Sequence, residues 1–277
     1  MNIIILTNDN FFSYTVLKPF LQLKKDDLKL VVFSSALIGR RGFLASIKWS
    51  IQNTGWRHTA FKTLTYGVFK GLRFLCALLP FIPNNYSSYL WVRRNNIEFI
   101  KTSNVNDTKV IARIKKQEPD LIISVSMNQI VKKEILDCPP LGCINVHCAP
   151  LPHYGGMSPY VWALAQNEDL SAATIHYMEE GLDTGDIIVQ DKIMVVKNDS
   201  AFSLFYRCCL RAAELLVQVV KDIESQTVTS YAQDLSQKSY FSWPTKQCIK
   251  NLKTNGFCLA KITDFLYAIF RQKPRVT

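Results

Sequence analysis

The sequence predicts an α/β protein built on a mostly parallel sheet. Three observations carry this. Short, β-branched apolar runs recur at Asn2–Thr7, Leu28–Phe33, Leu121–Val125 and Cys143–Val146. Continuous runs of this kind belong to strands buried on both faces, as in parallel sheets. Helix-like periods stand between them, at Phe11–Leu23 and Asn106–Gln117, giving a strand–helix–strand order. The composition, 48% hydrophobic and 12% aromatic over 277 residues, supplies a core large enough for one main domain.

Taken in order, the run NIIILT opens the chain as a buried strand and feeds the helix at Phe11–Leu23. TNDNFF stands where a G-x-G-x-x-G turn would follow that strand, so a dinucleotide fingerprint is absent. Residues 38–95 break the rhythm as a basic, aromatic, helical insertion, expected to cover the sheet edge. Phe61, Leu64, Val68, Leu72, Leu75 and Leu79 recur at helical spacing, with Lys62, Tyr66, Lys70 and Arg73 on another face. Two readings stand: a helical insertion covering the sheet edge, or, through 61–79, a peripheral helix on an anionic membrane surface. The apolar run Phe74–Ile82 is shorter than the ~20 residues that a membrane-spanning helix needs, and Leu79-Pro80 and Ile82-Pro83 stop it.

Ile97–Ile100 is read as a short strand. Glu118-Pro119-Asp120 ends the helix at Asn106–Gln117. Ser126–Val131 is the turn at the carboxyl end of the strand Leu121–Val125, where α/β sheets bind ligands. Ser158–Ala165 reads as a helix. Ala173–Met178 and Asp186–Val196 read as paired strands joined by EEGLDTG. Ser200–Ile223 is an amphipathic helix capped by Asp199-Ser200. The texture changes after Gln226, and a helix is expected at Thr263–Phe270. The expected organisation is a main domain over 1–226, containing the insertion 38–95, and a small appendage over 227–277.

The net charge of +11 is unevenly placed. Residues 28–97 hold ten Lys or Arg and no Asp or Glu, and residues 235–277 hold eight Lys or Arg against Asp264 alone. Such segments favour phosphates, nucleic acid or acidic lipid. The eight cysteines are scattered without C-x-x-C or zinc spacing, and the chain starts without a basic and then apolar leader. Reduced thiols in a cytoplasmic protein are expected.

The chemistry concentrates in Cys143–Asp186. Asn145 and His147 are two apart at a strand end and so share a side. Histidine can move a proton near neutral pH, and an asparagine amide can donate to an oxyanion. Pro150, Pro152, Gly155 and Gly156 shape the loop that follows. Asp183 lies beyond a strand able to return to the same edge, where a carboxylate orients a histidine and favours its charged form. These residue types fit acyl-type transfer or hydrolysis with no Ser or Cys nucleophile. A metal set drawn from His147, His176, Glu179, Glu180, Asp183 and Asp186 lacks any familiar ligand spacing, so no metal is expected.

N-x-H, then LPxYxG, then TIH, then LDTGDI, in this order and at these separations, resembles the formyltransferase family that uses 10-formyltetrahydrofolate. The resemblance is good over about residues 95–200 and loose over the first strands. It implies a Rossmann-like formyltransferase domain with Asn145, His147 and Asp183 as catalytic residues. It implies that the folate sits against Met127, Gln129, Ile130 and Val131, with Asn128, and against Glu180, Gly181 and Leu182, largely through backbone groups. His176 is expected only to hold the loop. Gly155 departs from the pattern, since the family usually has a basic residue there, and Ser126 stands where a small residue, often Gly, is usual.

The length and the small tail resemble the sugar N-formyltransferases best, which implies a nucleotide-linked amino sugar as acceptor and a homodimer. The basic flank would meet the diphosphate, and Tyr240, Phe241 and Trp243 would stack on a base or sugar or pack the tail on the main domain. A methionyl-tRNA formyltransferase-like enzyme, which would bring a nucleic-acid partner, is the alternative. A catalytically silent folate- or nucleotide-binding module is the other.

Overall fold

The computed structural model describes residues 1–34, 43–79 and 86–270. Pro80, Ile82 and Pro83 of the apolar run, Arg40 and Arg41 of the basic segment, and the last seven residues lie outside them. The strand β1 (Ile3–Thr7) leads to α1 (Phe11–Leu23) and β2 (Leu28–Ser34). Three helices follow, α2 (Phe43–Thr54), α3 (Trp56–Leu78) and α4 (Ser88–Arg94). Next come β3 (Phe99–Thr102), α5 (Thr108–Lys116), β4 (Leu121–Val125), α6 (Lys133–Leu136), β5 (Cys143–His147), β6 (Gly155–Gly156) and α7 (Pro159–Ala165). The chain continues through β7 (Leu170–Tyr177), β8 (Ile187–Met194) and α8 (Ala201–Glu224). A short β9 (Tyr240–Phe241), α9 (Lys246–Thr254) and α10 (Ile262–Phe270) complete it.

Seven strands form one sheet in the order β3-β2-β1-β4-β5-β7-β8. The first five run parallel, and β7 and β8 are antiparallel to their neighbours. The expected mostly parallel α/β fold is therefore present. The crossovers leave β1 in opposite directions, to β2 on one side and β4 on the other, which opens a crevice at their carboxyl ends.

Alternate residues of each strand feed two cores. Ile3, Ile5, Val31, Phe33, Leu121, Ile123 and Ile144 pack under α1, α7 and α8. Ile4, Leu6, Leu30, Val32 and Ile122 pack under α5 and α6. Burial on both faces is why these strands read as unbroken apolar runs. The caps follow the sequence too. The side chains of Asn10 and Ser200 accept the N–H of Ser13 and Ser203, and those serines return the bond.

The insertion differs from expectation. A third, aromatic core joins Phe11 of α1, Phe61 and Phe69 of α3, Phe202 and Tyr206 of α8, and Ala268 of α10. Phe11 and Phe69 stack with ring centres 3.8 Å apart. The buried line on α3 is His58, Phe61, Thr65, Phe69 and Cys76, while Leu64, Leu75 and Leu79 of the expected apolar face are exposed. So α3 packs on α1 and α8 and stands over the crevice. Among the described residues no helix is long and apolar enough to cross a membrane, and all eight cysteines are free thiols.

Candidate active site

The site is built where β1, β4 and β5 end. Antiparallel pairing of β5 with β7 sets Asn145 opposite His176 and His147 opposite Thr174. Side chains directly opposed on neighbouring strands touch, and Asn145 Nδ2 lies 3.2 Å from His176 Nε2. His176 Nδ1 is 2.7 Å from the Tyr177 carbonyl. A carbonyl can only accept, so Nδ1 carries the proton and Nε2 accepts from the Asn145 amide. Burial pushes the His176 pKa down to about 4, against the pull of Asp183. His176 is thus a neutral acceptor at pH 7 that orients Asn145 and leaves its second N–H for a ligand.

His147 is oriented in the same manner. Its Nε2 donates to the Tyr154 carbonyl at 3.1 Å, and its Nδ1 lies 3.9 Å from Asp183 Oδ2. Asp183 Oδ1 lies 3.8 Å from His176 Nε2. Burial pushes the Asp183 carboxyl up, but His147, the Gly156 N–H, His176 and Lys238 together outweigh it and hold the carboxyl below its usual range. It is therefore ionised at neutral pH. Its Oδ2 accepts the Gly156 N–H at 2.9 Å, and its backbone sits in the left-handed region at φ 53°, a conformation uncommon outside glycine.

Two close approaches explain the glycines of these loops. A Cβ on Gly156, whose φ is +96°, would come within 2.3 Å of the Phe241 carbonyl oxygen; one on Gly185 would come within 2.1 Å of the Tyr177 carbonyl oxygen. Gly155 is different. A Cβ there would meet Ser239 O at 3.4 Å and Asp183 Oδ2 at 3.6 Å, ordinary contacts. The missing side chain at 155 would thus have stood against the Asp183 carboxylate.

The segment after Gln226 takes part in the site. β9 pairs with β6, and Gly155 N donates to Ser239 O and Met157 N to Phe241 O. Gln233 Nε2 donates to the Asp183 and Gly185 carbonyls, and Lys238 Nζ donates to the Leu182 carbonyl at 2.8 Å. Phe241 stacks on Tyr154, ring centres 5.1 Å apart, which packs the tail on the loop. Tyr240 and Trp243 instead line the cavity.

That cavity holds about 470 Å³ and joins Asn145, His147 and Asp183 to Asn8–Phe12, Ser126–Asn128 and one edge of α3. Lys62, Tyr66, Lys70 and Arg73 form the α3 wall. Arg73 pairs with Asp9, and Lys62 Nζ lies 2.8 Å from the Tyr160 hydroxyl. No acidic side chain pairs with Lys62 or Lys70 among the described residues. The three residues expected to do chemistry are therefore brought together, with His176 among them.

Not all the residues expected at the folate line the cavity. Met127 and Leu182 line the cavity. Gln129 Oε1 accepts the Val105 N–H, the exposed Ile130 gives its carbonyl to Asn106, and Val131 is buried in the second core. Glu180 is exposed beside Lys133, and Gly181 packs against Thr184. Sequence reasoning set the basic flank at a diphosphate without naming α3 as the wall, and it missed the tail's hold on the Asp183 loop. The cationic edge of α3 was visible; where it pointed was not. Among the described residues no group of three or more His, Cys, Asp or Glu could hold a metal ion.

Comparison with known proteins bears out the resemblance. Residues 83–220 match the family model described as formyl transferase, just under half of the chain. The methionyl-tRNA formyltransferase of Acetivibrio thermocellus is 33% identical over 147 residues, 53% of this chain and 47% of that protein. The protein of the same name from Syntrophomonas wolfei is 41% identical over 152 residues, 54% of this chain and 48% of that one. The chain thus spans about half the length of the curated relatives it matches. Among solved structures, WlaRD, a sugar 3N-formyl transferase seen with dTDP and 5-N-formyl-THF, aligns over 92% of this chain and 79% of its own, with TM-score 0.59 and 18% identity. The N-formyltransferase from Helicobacter canadensis, seen with folinic acid and dTDP-3-aminofucose, aligns over 92% and 80%, with TM-score 0.57 and 19% identity. These likenesses show the fold.

Proposed function

We propose that this chain, whose residues 83–220 carry a formyl transferase domain, transfers the formyl group of 10-formyltetrahydrofolate to the amine of a nucleotide-linked amino sugar. The observation that carries the reading is the convergence of Asn145, His147 and Asp183 on one cavity whose far wall is the cationic edge of α3. An amine tethered to a diphosphate suits both ends: the amine at the trio, the diphosphate at Lys62 and Lys70. Met127 and the half-exposed Leu182 flank the trio and offer apolar contact to a flat pterin.

In the transfer, the acceptor amine adds to the formyl carbon and the carbonyl oxygen gains negative charge. The free N–H of Asn145 and a proton on His147 Nδ1 are the donors for that oxygen. With Nε2 already donating to the Tyr154 carbonyl, a proton on Nδ1 makes the ring an imidazolium, which Asp183 stabilises. The amine proton reaches the Asp183 carboxylate through a water. The new C–N bond remains, the bond to the folate nitrogen breaks, and that nitrogen takes up the proton that the carboxylate received.

The test is direct. Purified protein with 10-formyltetrahydrofolate is offered dTDP- and UDP-linked amino sugars and, separately, charged initiator tRNA. Formylation of a sugar is expected. Turnover confined to the tRNA would replace this reading with the methionyl-tRNA one, which the basic segments and the curated relatives support. His147→Ala should retain folate binding and lose turnover; a wild type that binds folate and formylates neither acceptor would be a binding module.

A further inference from the structure

α3 has three faces. The first is buried on the aromatic core, and the second, with Lys62, Tyr66, Lys70 and Arg73, walls the cavity. The third faces outward and should be polar in a helix that only covers a core. It is apolar. Trp56, Ala60, Leu64, Gly67, Gly71, Phe74, Leu75 and Leu78 follow one another at helical spacing within an arc of about 100°. Its large side chains are between 49% (Leu75) and 65% (Trp56) exposed. From Ala60 to Leu78 the stripe runs about 27 Å.

A second stripe stands beside it. Phe265 and Ala268 of α10 sit in the same aromatic cluster as Phe69 of α3, and the Phe265 ring centre is 6.2 Å from that of Phe69. On the exposed side of α10, Ile262, Leu266 and Phe270 recur every four residues, with Ile262 81% and Phe270 76% exposed. Two neighbouring helices thus carry apolar faces that the described residues leave uncovered. Surfaces of this kind mark interaction sites.

The charge says what covers them. Arg57 borders the α3 stripe and is exposed, as is Lys48 of α2, and no Asp or Glu lies anywhere in residues 28–97. A second copy docking through the same patch would set these cations against their own equivalents, because a twofold interface pairs a surface with itself. An anionic lipid surface complements both features: apolar side chains enter the acyl boundary and the bordering cations meet headgroup phosphates. We infer that α3 and α10 seat this protein on an anionic membrane surface, with the outward apolar stripe of α3 in the interface and its cationic edge still walling the cavity. This goes beyond the proposed transfer reaction and does not rest on it.

The experiment is cosedimentation of the full-length protein with vesicles of phosphatidylglycerol and phosphatidylcholine in equal parts, and of phosphatidylcholine alone, at about 0.15 M salt. Binding to the anionic vesicles is expected, weakening as salt rises. The variant L64S/F74S/L78S, with all three changes at exposed positions outside the cavity, should lower the bound fraction about fivefold or more while its melting curve stays that of the wild type. No binding by the wild type, or equal binding by that variant, overturns the proposal. So does a concentration-dependent dimer in sedimentation equilibrium that the same substitutions dissolve, which would assign the stripe to a second copy. None of these readings uses an acceptor or a folate, so they stand whichever way the transfer assay falls.

Discussion

Asp183 is held by backbone as much as by charge. Its left-handed φ of 53° aims the carboxylate at His147, and the Gly156 N–H keeps it there. Asp183→Asn keeps the shape and removes the charge, so kcat/KM should fall about 10²-fold or more while folate binding survives; steady-state kinetics beside folate titration checks this. The two neighbouring glycines should part company. Gly155→Ala meets only ordinary contacts and should change the melting temperature little, whereas Gly156→Ala drives a Cβ into the Phe241 carbonyl at a positive φ and should cost about 2 kcal/mol or more.

Buried histidines set the acid limit of stability. His58 is 1% exposed, and neither ring nitrogen has a hydrogen-bond partner. Burial, then Lys62, pushes its pKa from 6.5 down to about 3, as burial pushes that of His176 down to about 4. The unfolded chain protonates these rings first, so stability is full above about pH 6.5 and falls as pH drops, by about 1.4 kcal/mol per unit for each ring. Urea midpoints between about pH 6 and 4 should show this loss. His58→Leu, which removes two unpartnered nitrogens from the interior, should flatten it.

At the scale of elements, α3 and β9 matter most. Lys70 sits on the cavity edge of α3 with no acidic partner among the described residues, although its ammonium lies 5.5 Å from the Tyr66 ring centre. Lys70→Ala should raise KM for a diphosphate-linked acceptor about tenfold with kcat nearly unchanged, since a remote anion clamp binds ground and transition states alike. β9 braces the loop that presents the Tyr154 carbonyl to His147. Phe241→Ala, which removes the stack on Tyr154 and the contact with Trp162, should cost about 2 kcal/mol by calorimetry. The role of β9 was not legible, and that of α3 was legible only as part of a basic flank. β9 is two residues long, too short for any period, and it forms only because β6 offers it an edge. The six apolar residues at helical spacing identified α3 as a helix, yet Leu64, Leu75 and Leu79 are exposed while Phe61 is buried, because apolar residues occupy both its outward and its inward faces.

For the whole molecule, what could be read ahead followed from burial on both faces of the sheet. β1 and β4 are wrapped on both sides, so their runs are unbroken and their boundaries fell within a residue of those expected. β3 is an edge strand with partly exposed side chains, and its start lies two residues beyond the expected one. Asn145, His147 and Asp183 were legible because two lie in one strand end and the third in a carboxylate-rich turn that a short return strand could carry back. By itself the sequence determined the parallel sheet, the cap at Ser200 and this trio, all of which rest on short-range periods and on spacing within 40 residues or so. Only the tertiary structure decided that His176 orients Asn145, that residues from 233 to 241 hold the Asp183 loop, and that α3 turns its cations to the cavity and an apolar stripe outward. Those outcomes depend on which surfaces meet across the fold, and packing between distant segments leaves no period in the chain.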